Sequence, residues 1–108
     1  MDLLTITGEI HAASQRLSKS ADALFELGRE KAQSERDYRL ALSQEMLRLR
    51  ADGMPATLIT DLAKGNVSDK LFDRDLAEAR FKAGIEAADA IKVQVSALQT
   101  MLKYQTDV

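Results

Sequence analysis

Apolar and polar positions along this chain recur with the period of a helix almost from end to end. Ile10, Ala13, Leu17, Ala21, Leu24 and Leu27 follow three-and-four spacing, and Tyr38, Leu42, Met46 and Leu49 resume it. Between the two runs, Arg29 to Asp37 is almost entirely polar. That stretch reads as the solvated middle of one helix, supported by i,i+4 charge pairs such as Glu35–Arg39. Gly28 stands at the junction, where a glycine costs about 1 kcal/mol relative to alanine, so a bend near Gly28 is the alternative to continuity. Thr7 is the expected N-cap, with Glu9 in the first turn where a carboxylate meets the positive helix end. The pattern predicts a long helix over about residues 7–51.

Gly53-Met54-Pro55 is the strongest break, because proline cannot continue a helix and biases Met54 away from helical backbone. A second break falls at Gly65-Asn66. The segment between them predicts a short helix over about 55–64, with Pro55 at its first position and Gly65 just past its end. Asn66 or Ser68 can then cap a second long helix over about 68–103, with Asp69 in its first turn and Lys103 at its end. Its stripe runs Phe72, Leu76, Ala79, Ala83, Ala87, then Ile91, Val95, Leu98 and Leu102, widened by Phe81, Ile85 and Ala88. The small residues around Ala77 to Ala90 favour close helix approach.

The expected architecture is therefore all-α: a long antiparallel helical hairpin, coiled-coil-like, with a short connecting helix, in one helical domain. At 1.5 Å per residue the two long helices would measure roughly 65 and 50 Å. Paired from the connecting loop, the first would overhang the second, leaving Leu3, Leu4, Ile6 and Ile10 without an intrachain partner. Two helices alone also cover only part of an apolar stripe about 100° wide. Self-association or a protein partner is expected to cover that surface.

Composition agrees with packed helices. Aromatic residues are only 5% of the 108, tryptophan is absent, and the apolar fraction comes mainly from Ala, Leu, Ile, Val and Met. Fifteen Lys+Arg against 17 Asp+Glu give a net charge of −2, too little for long-range steering toward phosphate. With no cysteine, disulfides, thiolate zinc sites and cysteine nucleophiles are excluded. The Met1–Ile10 stretch has no basic leader region, and no apolar run reaches membrane length, so a cytoplasmic protein is expected.

Candidate chemistry is sparse. Asp69, Asp73 and Asp75, or Glu86 and Asp89, have helical spacing, but Lys70, Arg74, Arg80 and Lys82 interleave as on a solvated face. His11, the only histidine, has Ser14 and Ser18 nearby and no orienting third group. No catalytic, cofactor or metal residue is assigned, and no cofactor is expected. Arg29, Arg36 and Arg50 recur at multiples of seven, with Arg39 close to that line; a nucleic-acid-binding stripe is the alternative function. Glu30, Glu35, Asp37 and Glu45 dilute it, and no aromatic cluster offers base stacking. In the connecting segment, Met54, Leu58 and Ile59 either plug the end of the hairpin or anchor a partner.

The run Leu47-Arg48-Leu49-Arg50-Ala51-Asp52-Gly53-Met54-Pro55-Ala56-Thr57-Leu58-Ile59, followed by Asp61-Leu62-Ala63-Lys64-Gly65-Asn66-Val67, carries a resemblance. With Arg74-Asp75-Leu76-Ala77-Glu78 and Ala97-Leu98-Gln99-Thr100-Met101-Leu102-Lys103, it resembles small helical proteins encoded by phages and prophages of Gram-positive bacteria. The likeness covers roughly Glu30 to Lys103 and brings no activity and no functional residues. It implies a phage-type accessory protein in the host cytoplasm, acting in DNA metabolism or against a host factor. The leading expectation is a non-enzymatic interaction protein, a homo-oligomer that docks a helical surface onto a host defence or nucleic-acid-processing complex. A third possibility is a small-ligand sponge whose pocket forms between copies.

Overall fold

A computed structural model describes residues 2–106, and in it the chain is all-α. Helix α1 spans Leu3–Ala51, α2 spans Ala56–Asn66 and α3 spans Ser68–Thr106. The two long helices pack antiparallel as a hairpin and α2 connects them. Every residue of α1 is helical, Gly28 included, so the continuous reading holds. The chain divides into two compact units, one of residues 1–26 with 82–108 and one of residues 27–81.

In the first unit, α1 presents Ile6, Ile10, Ala13, Leu17, Ser20 and Leu24 inward, all buried or half-buried. From α3 come Ala88, Ile91, Val95, Leu98 and Leu102. Both series advance by alternating steps of three and four, the seam of a two-stranded coiled coil. Arg16 Nη2 donates to Gln94 Oε1 at 2.7 Å across the pair. Ile6 lies ten residues before Arg16, and Tyr104 ten after Gln94, so the last turn of α3 stands opposite Ile6.

This corrects the expected overhang. Ile6 is fully enclosed at 0% exposure and Ile10 is half-buried, whereas Leu4 is 83% exposed and Leu3 also faces solvent. Two features close the gap. Helix α3 continues one turn beyond Lys103, where nothing in the sequence stops it, and α1 starts earlier than Thr7. Asp2, not Thr7, caps α1: its Oδ1 accepts from the Thr5 backbone N–H at 2.7 Å. The Thr7 hydroxyl instead donates to the carbonyl of Leu4 at 2.9 Å within the helix. The hydrogen bond from the Thr5 backbone N–H, and then that from the Thr5 side chain, hold the Asp2 carboxyl below its ordinary range.

In the second unit, Leu27, Lys31, Ser34, Tyr38 and Ala41 of α1 meet Leu71, Arg74, Ala77 and Phe81 of α3. At the far end α2 lies along the last turns of α1. Leu49, Ile59 and Ala63 form the buried cluster there, with Leu42, Met46 and Met54 packed against it. Because α2 occupies that end, α3 begins further down α1, where the Asn66 amide reaches Glu45 Oε1 at 2.9 Å. Asn66 is thus spent on a contact between elements and is not the cap of α3.

The α1 terminus explains why Gly53 is glycine. Gly53 N–H donates to the Arg50 carbonyl at 3.1 Å and Met54 N–H to the Leu49 carbonyl at 3.0 Å, a Schellman stop. Gly53 sits at φ +82°, the left-handed region that side chains resist. Met54 then contacts the Leu49 cluster, the hydrophobic contact that accompanies such a stop. Gly65, expected beyond the end of α2, is inside it. The helix closes instead with Val67 N–H on the Ala63 carbonyl at 3.1 Å.

Candidate interaction surface on α1

The middle of the hairpin is where sequence reasoning and structure differ most. The polar stretch Arg29–Asp37 was expected to be solvated, yet Lys31, Ser34, Glu35 and Asp37 are half-buried and Tyr38 is buried. The seam passes straight through them. Arg74, from α3, sets its guanidinium 4.7 Å from the Tyr38 ring centroid, and its Nε lies 3.6 Å from Glu35 Oε2. Two turns along, Lys31 Nζ lies 5.5 Å from the Phe81 ring centroid. A cation above an aromatic face is attracted by the ring quadrupole. Two such contacts replace aliphatic packing at this level. The hydrogen bond to Asp75, more than the neighbouring Glu35 charge, raises the Arg74 pKa, so the guanidinium stays charged.

A second consequence concerns α3. Phe72 and Leu76, expected in the stripe, are exposed, as are Ala79, Ala83 and Ala87. Phe72 keeps 65% of its surface in solvent. The inward series is Leu71, Arg74, Ala77 and Phe81, so the more apolar of two helical series faces out.

The same holds on α1. Leu40 and Leu47, seven residues apart, are exposed, Leu47 at 66%. Two concavities meet on this outer face. One is lined by Ala32, Arg36, Arg39, Leu40 and Ser43, with Glu35 at its edge. The other is lined by Ser43, Met46, Leu47, Arg50 and Ile59, so α2 contributes a wall. They adjoin at Ser43 as one shallow groove in which exposed Leu40 and Leu47 lie among Arg36, Arg39 and Arg50.

Of the candidate partner anchors, Ile6 and Ile59 are buried, and Met54 is half-buried in the plug. Leu58 is exposed, with Leu62 one turn on. Of the arginines proposed for nucleic acid, Arg36, Arg39 and Arg50 share the α1 groove, and Arg39 Nε donates to Glu35 Oε1 at 2.8 Å. Arg29 belongs to a different groove, with Asp37, Asp73 and Arg80. The structure does not unite the four as one stripe. Leu40 and Leu47 were missed as candidates; their seven-residue spacing between Arg36 and Arg50 was the available signal.

Elsewhere, His11 and the carboxylates Asp69, Asp73, Asp75, Glu86 and Asp89 are exposed. Among the described residues no three His, Cys, Asp or Glu side chains gather as a metal site. No helix among them is long and apolar enough to cross a membrane.

Comparison with known protein families, with curated proteins and with solved structures finds no match to this chain.

Proposed function

We propose that this chain is a non-enzymatic interaction protein that docks a partner helix on the outer face of α1. The observation that supports the reading is the groove centred on Ser43, with Leu40 and Leu47 exposed along it and Arg36 and Arg50 at its ends. Two leucines one heptad apart present the anchors an amphipathic helix needs, and cations at both ends favour a partner with acidic flanks. Interaction surfaces of this type are an apolar centre inside a polar rim. Behind the groove, the inward face of α1 is already occupied by α3, with Arg74 against Tyr38 and Phe81 against Lys31.

The resemblance of the Leu47–Val67 segment to small phage-encoded helical proteins supplies the setting of this proposal. The chain would be an accessory protein in a host cytoplasm, acting on a defence or nucleic-acid-processing complex by occupying a helical surface of one component.

A photo-crosslinking amino acid at Leu47, with a second at exposed Glu9 as control, tests the docking site. Crosslinks from position 47 to a defined helical segment, lost in the Leu40→Glu background, support it. Equal labelling from positions 47 and 9 overturns it.

A further inference from the structure

One oxidisable side chain belongs both to the α1 groove and to the plug at the end of the hairpin. Met46 lines the concavity beside Ser43, Leu47 and Arg50. It also packs against the buried cluster of Leu49, Ile59 and Ala63 that holds α2 on α1. Ile59 itself forms the α2 wall of that concavity, so the groove and the plug share a boundary. Half-buried Met46 is open to solvent through the groove, and its apolar contacts help decide how α2 sits.

The other described methionines differ. Met101 is 39% exposed on α3 and takes no part in the cluster. Met54 packs against the cluster but does not line the groove. The chain has no cysteine, so thioethers are its only sulfur groups and no thiol consumes an oxidant first. A sulfoxide at position 46 sets a polar, hydrogen-bond-accepting group against aliphatic side chains, which costs free energy while it stays unpaired. Exposed Arg50, one turn on and in the same lining, offers a donor on the solvent side. Turning toward it satisfies the oxygen and withdraws Met46 from Leu49 and Ile59.

We propose that Met46 is a peroxide-sensitive modification site that controls the α2 wall of the groove. Its sulfur lone pair takes one oxygen of hydrogen peroxide; the O–O bond breaks, the S–O bond forms and the other oxygen leaves as water. Sulfur loses two electrons and peroxide gains them. A thiol-dependent reductase reverses the step, two thiols becoming a disulfide as the oxygen leaves as water. The inference rests on reading the groove as a docking surface and names its regulation. Oxidation places a polar group beside Leu47 and loosens α2, so the oxidised chain loses its partner.

The experiment treats the full chain with hydrogen peroxide, locates sulfoxides by peptide mass mapping and follows amide exchange in residues 59–66 of α2. Circular dichroism confirms folding of the variants, in which leucine for methionine keeps the volume. Conversion of Met46 speeds exchange there by roughly tenfold, the effect of one polar group left against apolar neighbours. The double variant Met54→Leu with Met101→Leu, which keeps Met46, shows the same acceleration. Met46→Leu, treated identically, keeps its slow exchange. Met46 left unconverted when Met101 is fully sulfoxide, unchanged exchange in the double variant once Met46 is converted, or equal acceleration in Met46→Leu overturns the proposal. None of these readouts uses a partner, so such a result strikes the modification and leaves the docking site to the crosslink at position 47.

Discussion

The guanidinium of Arg74 lies 4.7 Å from the ring centroid of Tyr38, in the middle of the seam between α1 and α3. Tyr38 is only 6% exposed, so this cation contacts a buried ring rather than a surface one. Polar positions inside a coiled-coil seam contribute less to stability than to register. Tyr38→Ala removes a large buried ring and is expected to cost about 3 kcal/mol. For a domain of this size that lowers the melting temperature by roughly 10 °C or more. Arg74→Leu, which keeps the volume and removes the charge, leaves the melting temperature within about 3 °C. Thermal denaturation of the two variants checks the contrast.

Enclosure of Ile6 separates this hairpin from one with a free N-terminal overhang. Ile6→Ala is expected to destabilise by about 3 kcal/mol, while Leu4→Ala, at an exposed position two residues away, stays within about 0.5 kcal/mol of the parent. Urea denaturation measures both, and equal small effects would restore the overhang.

The glycines predict opposite signs. Gly53→Ala forces a side chain into left-handed backbone at φ +82° and costs about 1 kcal/mol. Gly28→Ala gains helix propensity, and its Cβ meets Phe81 Cε2 at 3.4 Å, an ordinary contact, so it stabilises by about 0.5–1 kcal/mol. Equilibrium unfolding of both variants tests the pair.

Glu45 gives a pH dependence. Its hydrogen bond from Arg48, and then that from Asn66, hold its carboxyl below the ordinary value of 4.5. A depressed carboxyl contributes stability above its unfolded value and loses it as pH falls through the folded one. The parent is therefore expected to exceed Glu45→Gln in stability at neutral pH, and the difference to vanish below the ordinary glutamate range. Melting curves across that range test it; a difference that persists in acid assigns the effect to packing instead.

Most of the architecture was legible in the sequence because glycine, proline and helical periodicity act locally. Gly53-Met54-Pro55 marks the α1 stop in any context, and the alternation of Ile10, Ala13 and Leu17 survives into the packed seam. What was not legible was the choice between two equally periodic series. On α3, Phe72-Leu76-Ala79 is more apolar than Leu71-Arg74-Ala77, yet the second faces inward. It is the series continuous with Ala88, Ile91, Val95 and Leu98 in the same helix. On α1, Ser20 faces in and Ala21 out for the same reason. Tertiary continuity overrides local hydrophobicity there, and the partnering of Arg74 with Tyr38 has no signature in spacing. The displaced apolar series became the candidate interaction faces.

The chain has no cysteine, so Ser43→Cys creates a unique thiol in the centre of the α1 groove for an environment-sensitive dye. On titration with partner helix, the account predicts a saturable blue shift at position 43 and none for the same dye at Glu9→Cys. A response that is the same at both positions, or absent at position 43 while association proceeds, would contradict docking on the outer face of α1.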